Sequence, residues 1–148
     1  MQVAARCATT SKIRGYAASA KGARLEPFEY DAGPLGPDQV EITVSHCGIC
    51  HSDISMLDNE WGMSAYPLVA GHEVVGTITA MGAQAKGRKI GERVGLGWNS
   101  SSCLACPQCM SGDQNFCAQA EATIVQRHGG FAERVRCHWA WAIPLPGN

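Results

Sequence analysis

Four cysteines crowded into fifteen residues constrain this chain more than any other feature: Cys103-Leu-Ala-Cys106-Pro-Gln-Cys109, then Cys117 after a gap of seven. Thiolates three residues apart on a turn converge on one ion, and a fourth a few residues later completes a tetrahedron. Zinc suits four sulfurs, prefers that geometry and keeps no open position, so the lobe 98–118 reads as a structural zinc site. A bacterial iron–sulfur motif would bring the next cysteine after three residues and follow it with proline. Here Pro107 follows the second cysteine instead. A disulfide framework belongs to small secreted domains. The first residues do not read as a signal peptide, so a reducing, cytoplasmic compartment is expected.

At 148 residues, 45% apolar and 17% charged, the chain has the balance of one globular domain. A formal net charge of -1 speaks against nucleic-acid binding, which needs a basic face. No run of apolar residues is long enough for a membrane-spanning helix. Residues 1–12, acid-poor and rich in Ala, Ser and Thr, read as a disordered extension, leaving 13–148 as the domain. Within it, alternation and turn signals predict strands over 39–44, 73–80, 93–97, 131–135 and 140–144. One or two helical turns are expected over 53–59. No Gly-x-Gly-x-x-Gly follows any predicted strand, so a dinucleotide-binding fingerprint is missing from this sequence.

A second constellation has a different character. Cys47-Gly-Ile-Cys50-His51-Ser52-Asp53 and Gly71-His72-Glu73 supply a thiolate and an imidazole, which leaves a metal site open to water or a substrate oxygen. Each piece also has an ordinary reading. Cys47 and Cys50 are spaced as a redox pair, although no thioredoxin-like pattern surrounds them. His72 suits a satisfied core histidine and Glu73 a solvated carboxylate. Ser52 and Asp53 suit helix caps.

Taken together, four segments fall in one family's order and spacing. They are Cys47-Gly-Ile-Cys-His-Ser-Asp53, Gly71-His-Glu-Val-Val-Gly76 with Gly82 beyond it, Gly91-Glu-Arg-Val94, and the Cys103/106/109/117 lobe. From about Ile13 the chain resembles the N-terminal catalytic domain of zinc-dependent medium-chain alcohol dehydrogenases, nearest the cinnamyl-alcohol-dehydrogenase-like, NADP-preferring branch. The resemblance implies a mainly β fold, a GroES-like partly open barrel with short helices and a zinc-binding lobe.

The same resemblance implies roles. Cys50, not Cys47, matches the catalytic-zinc cysteine, His72 the histidine ligand, and Glu73 the glutamate beside the metal. As strand neighbours, His72 and Glu73 would point to opposite faces, so Glu73 would approach from behind. Asp53 matches the acid that orients the ligand imidazole. Ser52 matches the hydroxyl that exchanges the alcohol proton, His51 the position facing the cofactor pyrophosphate, and Trp61 and Trp98 the walls of the substrate cleft.

Two departures stand out. Relatives commonly carry a histidine five residues after the catalytic cysteine, as the outer member of a proton relay; here it is Ser55, which cannot take up an extra proton near neutrality. Nothing matches the family's third cysteine ligand, and Cys137 sits in a strand-like run instead. The nucleotide-binding domain has no counterpart in these residues either. The expectation is therefore a fragment of an alcohol dehydrogenase or aldehyde reductase, binding zinc but inactive alone. The intact protein would be a homo-oligomer moving hydride between a primary alcohol and NADP or NAD. The alternatives are a zinc-binding interaction module without enzymatic activity, a redox-sensing thiol protein using Cys47 and Cys50, and a quinone-reductase-like relative, which usually lacks both metal sets.

Overall fold

The computed structural model describes residues 12–146. The expected N-terminal extension lies outside them apart from Lys12, which opens the first strand. That strand, β1 (Lys12–Ala18), pairs antiparallel with β2 (Leu25–Asp31) in a hairpin that the sequence patterning did not reveal. Only β1 gives the hairpin a core-facing side, through Ile13, Ala17 and Ala18. The chain β2 is mostly exposed, with only Phe28 and Tyr30 half-buried, so its hydrophobic alternation is weak.

The main sheet has the order β8-β3-β4-β5-β9 and is antiparallel throughout. It comprises β3 (Gln39–Gly48), β4 (Glu73–Met81), β5 (Arg93–Leu96), β8 (Arg134–His138) and β9 (Ile143–Pro144). Its inner face collects Val40, Ile42, Val74, Ile78, Val94 and Val135, all buried. Each such side chain contributes about 2 kcal/mol when removed from water, which compensates for strands as short as β5. The small strands β6 (Asn99–Ser101) and β7 (Glu121–Ala122) pair beside this sheet and frame the cysteine lobe. The fold is thus mainly β with short helices.

Two expected strands end up differently. The run 131–135 was expected to be one strand, yet β8 begins only at Arg134. Phe131 and Glu133 are hydrogen-bonded, but to separate segments: the Phe131 N–H donates to Ala70 O, the Glu133 N–H to Arg14 O. The run 140–144 was also expected to be a strand. A 3-10 turn, Trp139–Trp141, occupies its start, because the His138 Nδ1 accepts from the Ala140 N–H and bends the chain before β9.

Glu41 illustrates how alternation misleads about burial. It lies between Val40 and Ile42 on β3, on the side opposite the core, as a polar residue should. It is nevertheless only 6% exposed. Arg134 Nη1 and Arg136 Nε, both from β8, donate to its two oxygens at 2.7 and 2.8 Å. The carboxylate therefore clamps the β3–β8 register, in which Glu41 faces Arg136.

Between β3 and β4 the chain leaves the sheet to form α1 (His51–Leu57). Met56 of this helix packs with Leu68 and Ile124 in a second apolar cluster, which Trp98 also touches. That cluster anchors the helix on the loop segments that carry Leu68, Trp98 and Ile124.

Candidate metal centres

The hinge between β3 and α1 brings Cys50 to the first turn of the helix, and β4 begins with Glu73 immediately after His72. Donor atoms of Cys50, His72 and Glu73 all lie within 4.8 Å of one another. His72 is 6% exposed, Cys50 is half-buried and Glu73 is open to solvent. The expectation that His72 and Glu73 point to opposite faces does not hold: their donor atoms converge, because His72 sits just outside β4 and strand alternation starts only at Glu73.

Asp53 organises the set from within. Its Oδ2 accepts from the Cys50 N–H at 2.9 Å, fixing the turn that presents the thiol. Its Oδ1 accepts from the Gly71 N–H at 2.8 Å and lies 3.0 Å from His72 Nδ1. An ionised carboxylate only accepts, so Nδ1 carries the proton and the His72 Nε2 lone pair is left for a metal. Asp53 thus acts as a helix-start cap and as the anchor of the imidazole at once.

Two glycines make the approach possible. Gly71 has φ +95°, a left-handed conformation, and a Cβ there would fall 2.7 Å from the Phe131 nitrogen and 2.9 Å from Cys47 Sγ. At Gly48, which faces Glu73 across the β3–β4 ladder, a Cβ would run into the Glu73 carboxylate. Cys47 is half-buried and its thiol is pushed up by burial. It is not among the converging donors.

One sulfur, one imidazole nitrogen and one carboxylate oxygen make a three-donor set with a position to spare, the donor chemistry of an open zinc site. The second group is closed. Cys103, Cys106, Cys109 and Cys117 bring four sulfurs within 4.8 Å of one another. Cys103 Sγ lies 3.5 Å from Cys117 Sγ and 3.9 Å from Cys109 Sγ. A tetrahedron with zinc–sulfur bonds of about 2.3 Å has edges of about 3.8 Å, so these spacings fit zinc and are far too long for disulfides. All seven cysteines among the described residues are free thiols.

Local backbone prepares those sulfurs. The short helix α2 (Pro107–Met110) follows Cys106, with proline at its first position. The Cys106 N–H donates to Cys103 Sγ at 3.3 Å, and the Gln119 N–H to Cys117 Sγ at 3.4 Å. The amides of Ala105 and Cys106, together with the Cys117 thiol, lower the Cys103 thiol to about 6. At Cys106 the Cys109 amide favours the thiolate. Burial and the neighbouring sulfurs outweigh it and raise that thiol to about 11. Crowded thiols resist a second ionisation once the first has occurred, and a divalent cation removes that resistance.

The remaining sequence-predicted residues surround the first centre. Ser52 Oγ lies 3.7 Å from Cys50 Sγ. His51 is exposed at the start of α1. Trp98 meets the His72 ring edge-on at 5.0 Å, and Trp61 meets Trp98 at 5.8 Å. Cys137 is buried in β8, its thiol pushed up to about 12 chiefly by desolvation, and it belongs to neither group of converging donors.

Sequence reasoning missed two features. Ser55, buried on α1, donates to Glu60 Oε2 at 2.7 Å. Trp98 also lines a cavity of about 590 Å3, together with Met63, Val125, Gln126 and the ion-paired Glu121 and Arg127. The only signal for Glu60 was its nearness in sequence to Ser55, which no period connects.

The alcohol dehydrogenase GroES-like domain family matches residues 36–147. The chain is 54% identical over 134 residues to the aldehyde reductase AdhA of Synechocystis sp., covering 90% of this chain and 40% of that protein. It is 40% identical over 141 residues to cinnamyl alcohol dehydrogenase 8 of Arabidopsis thaliana, covering 90% and 39%. The chain therefore spans about 40% of the length of the curated relatives it matches. Among solved structures, the cinnamyl alcohol dehydrogenase SbCAD4 from Sorghum bicolor superposes with a TM-score of 0.84 at 33% identity, over 91% of this chain and 41% of that one. The CAD from Helicobacter pylori complexed with NADP(H) gives 0.86 at 29% identity, over 93% and 42%.

Proposed function

The chain belongs to the alcohol dehydrogenase GroES-like domain family, and from that premise we propose that it is the metal-binding, substrate-facing part of a zinc-dependent alcohol dehydrogenase or aldehyde reductase. The observation that carries this reading is the convergence of Cys50, His72 and Glu73 donors, with Asp53 holding the far nitrogen of the imidazole. A zinc-ribbon interaction module has no need of that second, open set. In this reading Cys50, His72 and Glu73 hold the catalytic zinc, and Cys103, Cys106, Cys109 and Cys117 the structural one.

Zinc bound by the first set supplies Lewis-acid polarisation of a carbonyl or alcohol oxygen. The chain's own side chains do the rest. Asp53 keeps His72 in one tautomer and one orientation. Ser52, whose hydroxyl both donates and accepts, takes the alcohol proton or returns it in the reductive direction. Ser55 lies three residues further along α1, on the same face, and its hydroxyl donates to Glu60 Oε2. Glu60 is exposed, and in this reading its carboxylate is the hydrogen-bond acceptor at the outer end of the helix, where relatives place the relay histidine. Trp98 and Trp61 wall the approach and keep water from one side of the reacting oxygen. His51, exposed on the helix's first turn, would meet the phosphates of a nicotinamide cofactor, NADP or NAD. The free thiols suit a reducing, cytoplasmic setting.

Cobalt(II) titration of the metal-free chain tests the assignment. Two classes of site are expected: a tight one lost in Cys106→Ser and a weaker one lost in Cys50→Ser and His72→Ala. Binding isotherms unaltered by Cys50→Ser and His72→Ala would overturn it.

A further inference from the structure

Gln126 stands out among the residues that line the cavity beside Trp98. Among the described residues it is one of three non-glycine residues with positive φ, at +53°. An unbranched side chain held there costs backbone strain that glycine would avoid. The residue lines the 590 Å3 cavity that shares Trp98 as a wall, and the Trp98 ring lies 5.0 Å from the His72 ring. Its neighbours are apolar, Met63 and Val125, or mutually neutralised, since Arg127 Nη1 and Glu121 Oε2 are ion-paired. Arg127 is further committed, its Nη2 donating to the Arg136 carbonyl. The Gln126 carboxamide makes no hydrogen bond within the described residues. The cavity wall therefore offers one uncommitted, uncharged donor–acceptor group on an otherwise apolar or paired surface.

We infer that Gln126 is a specificity-determining residue, reading a neutral hydrogen-bonding group at the far end of a substrate whose apolar body lies along Trp98 and Met63. This rests on the dehydrogenase reading for the reaction, but the recognition itself depends only on the cavity. A charged tail gains nothing, because the nearest cation and anion already satisfy each other. A neutral hydroxyl exchanges water for the amide and fixes the orientation of the body, a modest gain typical of a partly exposed hydrogen bond.

The test compares two aldehydes of equal shape, 4-(hydroxymethyl)cinnamaldehyde and 4-ethylcinnamaldehyde, on the zinc-loaded protein in its longest expressed form. Two readouts are taken: the kcat/KM ratio with NADPH, and the ratio of Kd values from tryptophan fluorescence quenching without cofactor. Gln126→Gly keeps the left-handed turn, and Gln126→Met keeps the length of the side chain while removing its hydrogen bonds. Both variants are expected to reduce the preference for the hydroxymethyl compound by roughly 3–10-fold, with values for the ethyl compound held within about twofold. Gln126→Gly is expected to melt no lower than the wild type. An unchanged preference ratio in Gln126→Gly overturns the inference. The Kd ratio decides the role of Gln126 even where the chain alone turns over neither aldehyde, whereas a wild type whose cobalt(II) isotherm lacks the Cys50–His72 class sinks the dehydrogenase reading instead.

Discussion

Asp53 Oδ1 sits 3.0 Å from His72 Nδ1, while the two oxygens of the same carboxylate also accept the backbone N–H groups of Cys50 and Gly71. Three donors converge on one buried acceptor group, and two of them belong to metal-ligand residues. Asparagine has one oxygen for those three donors and would turn its NH2 toward a donor. Asp53→Asn is therefore expected to lower zinc affinity at the Cys50–His72 centre by about 10–100-fold. Its unmatched donors should also destabilise the fold by about 2 kcal/mol. Zinc competition titrations and urea unfolding measure the two effects, and wild-type affinity would contradict the orienting role.

The clamp on β3 and β8 makes a separate prediction about stability alone. Glu41→Gln preserves shape but sets an amide NH2 against Arg134 or Arg136. We expect a loss of about 2–3 kcal/mol in urea unfolding, with the metal content untouched. A change below about 0.5 kcal/mol would mean that the two arginines find solvent instead.

The two metal sets should fail differently. Cys106→Ser empties a closed site that supports a lobe with few buried apolar side chains, so it should lower the melting temperature of metal-loaded protein more than Cys50→Ser does. Excess chelator should abolish the difference. Equal shifts in the two variants before chelation would count against a structural role for the lobe.

His128 predicts a pH dependence. Its Nδ1 is buried without a partner, its ring packs on Tyr30 at 4.2 Å, and burial holds its pKa below the ordinary histidine value. Below pH of about 6.5 the unfolded chain takes up a proton that the folded chain resists, so this residue's contribution to stability is present above that pH and is lost as pH falls. His128→Phe should therefore lose less stability than the wild type between about pH 7 and pH 5 in thermal melts. Parallel melting curves for the two proteins would rule out a neutral, buried His128.

Ligand chemistry was legible in the sequence because it depends on side-chain identity at short range: the four lobe cysteines and the Cys-His-Ser-Asp and Gly-His-Glu runs name their own partners. The strands with dense apolar alternation, β3, β4 and β5, were legible for the same reason, since burial follows hydrophobicity there. What escaped depends on contacts made across the fold. The hairpin partner β2 buries too little to show a pattern, and β8 starts late because Phe131–Glu133 spends its hydrogen bonds on other segments. Glu41 looks solvated until Arg134 and Arg136 are seen to cover it. Glu60 and Gln126 acquire meaning only from Ser55 and from the cavity beside Trp98.

The central claim is that Cys50, His72 and Glu73 form an ion site distinct from the cysteine lobe. Crystals of the protein grown with excess zinc, measured on both sides of the zinc absorption edge, test it most directly. The account predicts two anomalous peaks, one inside Cys103/Cys106/Cys109/Cys117 and one between Cys50 Sγ and His72 Nε2. A single peak in the lobe, with Cys50 and His72 fully occupied and no density between them, would contradict it.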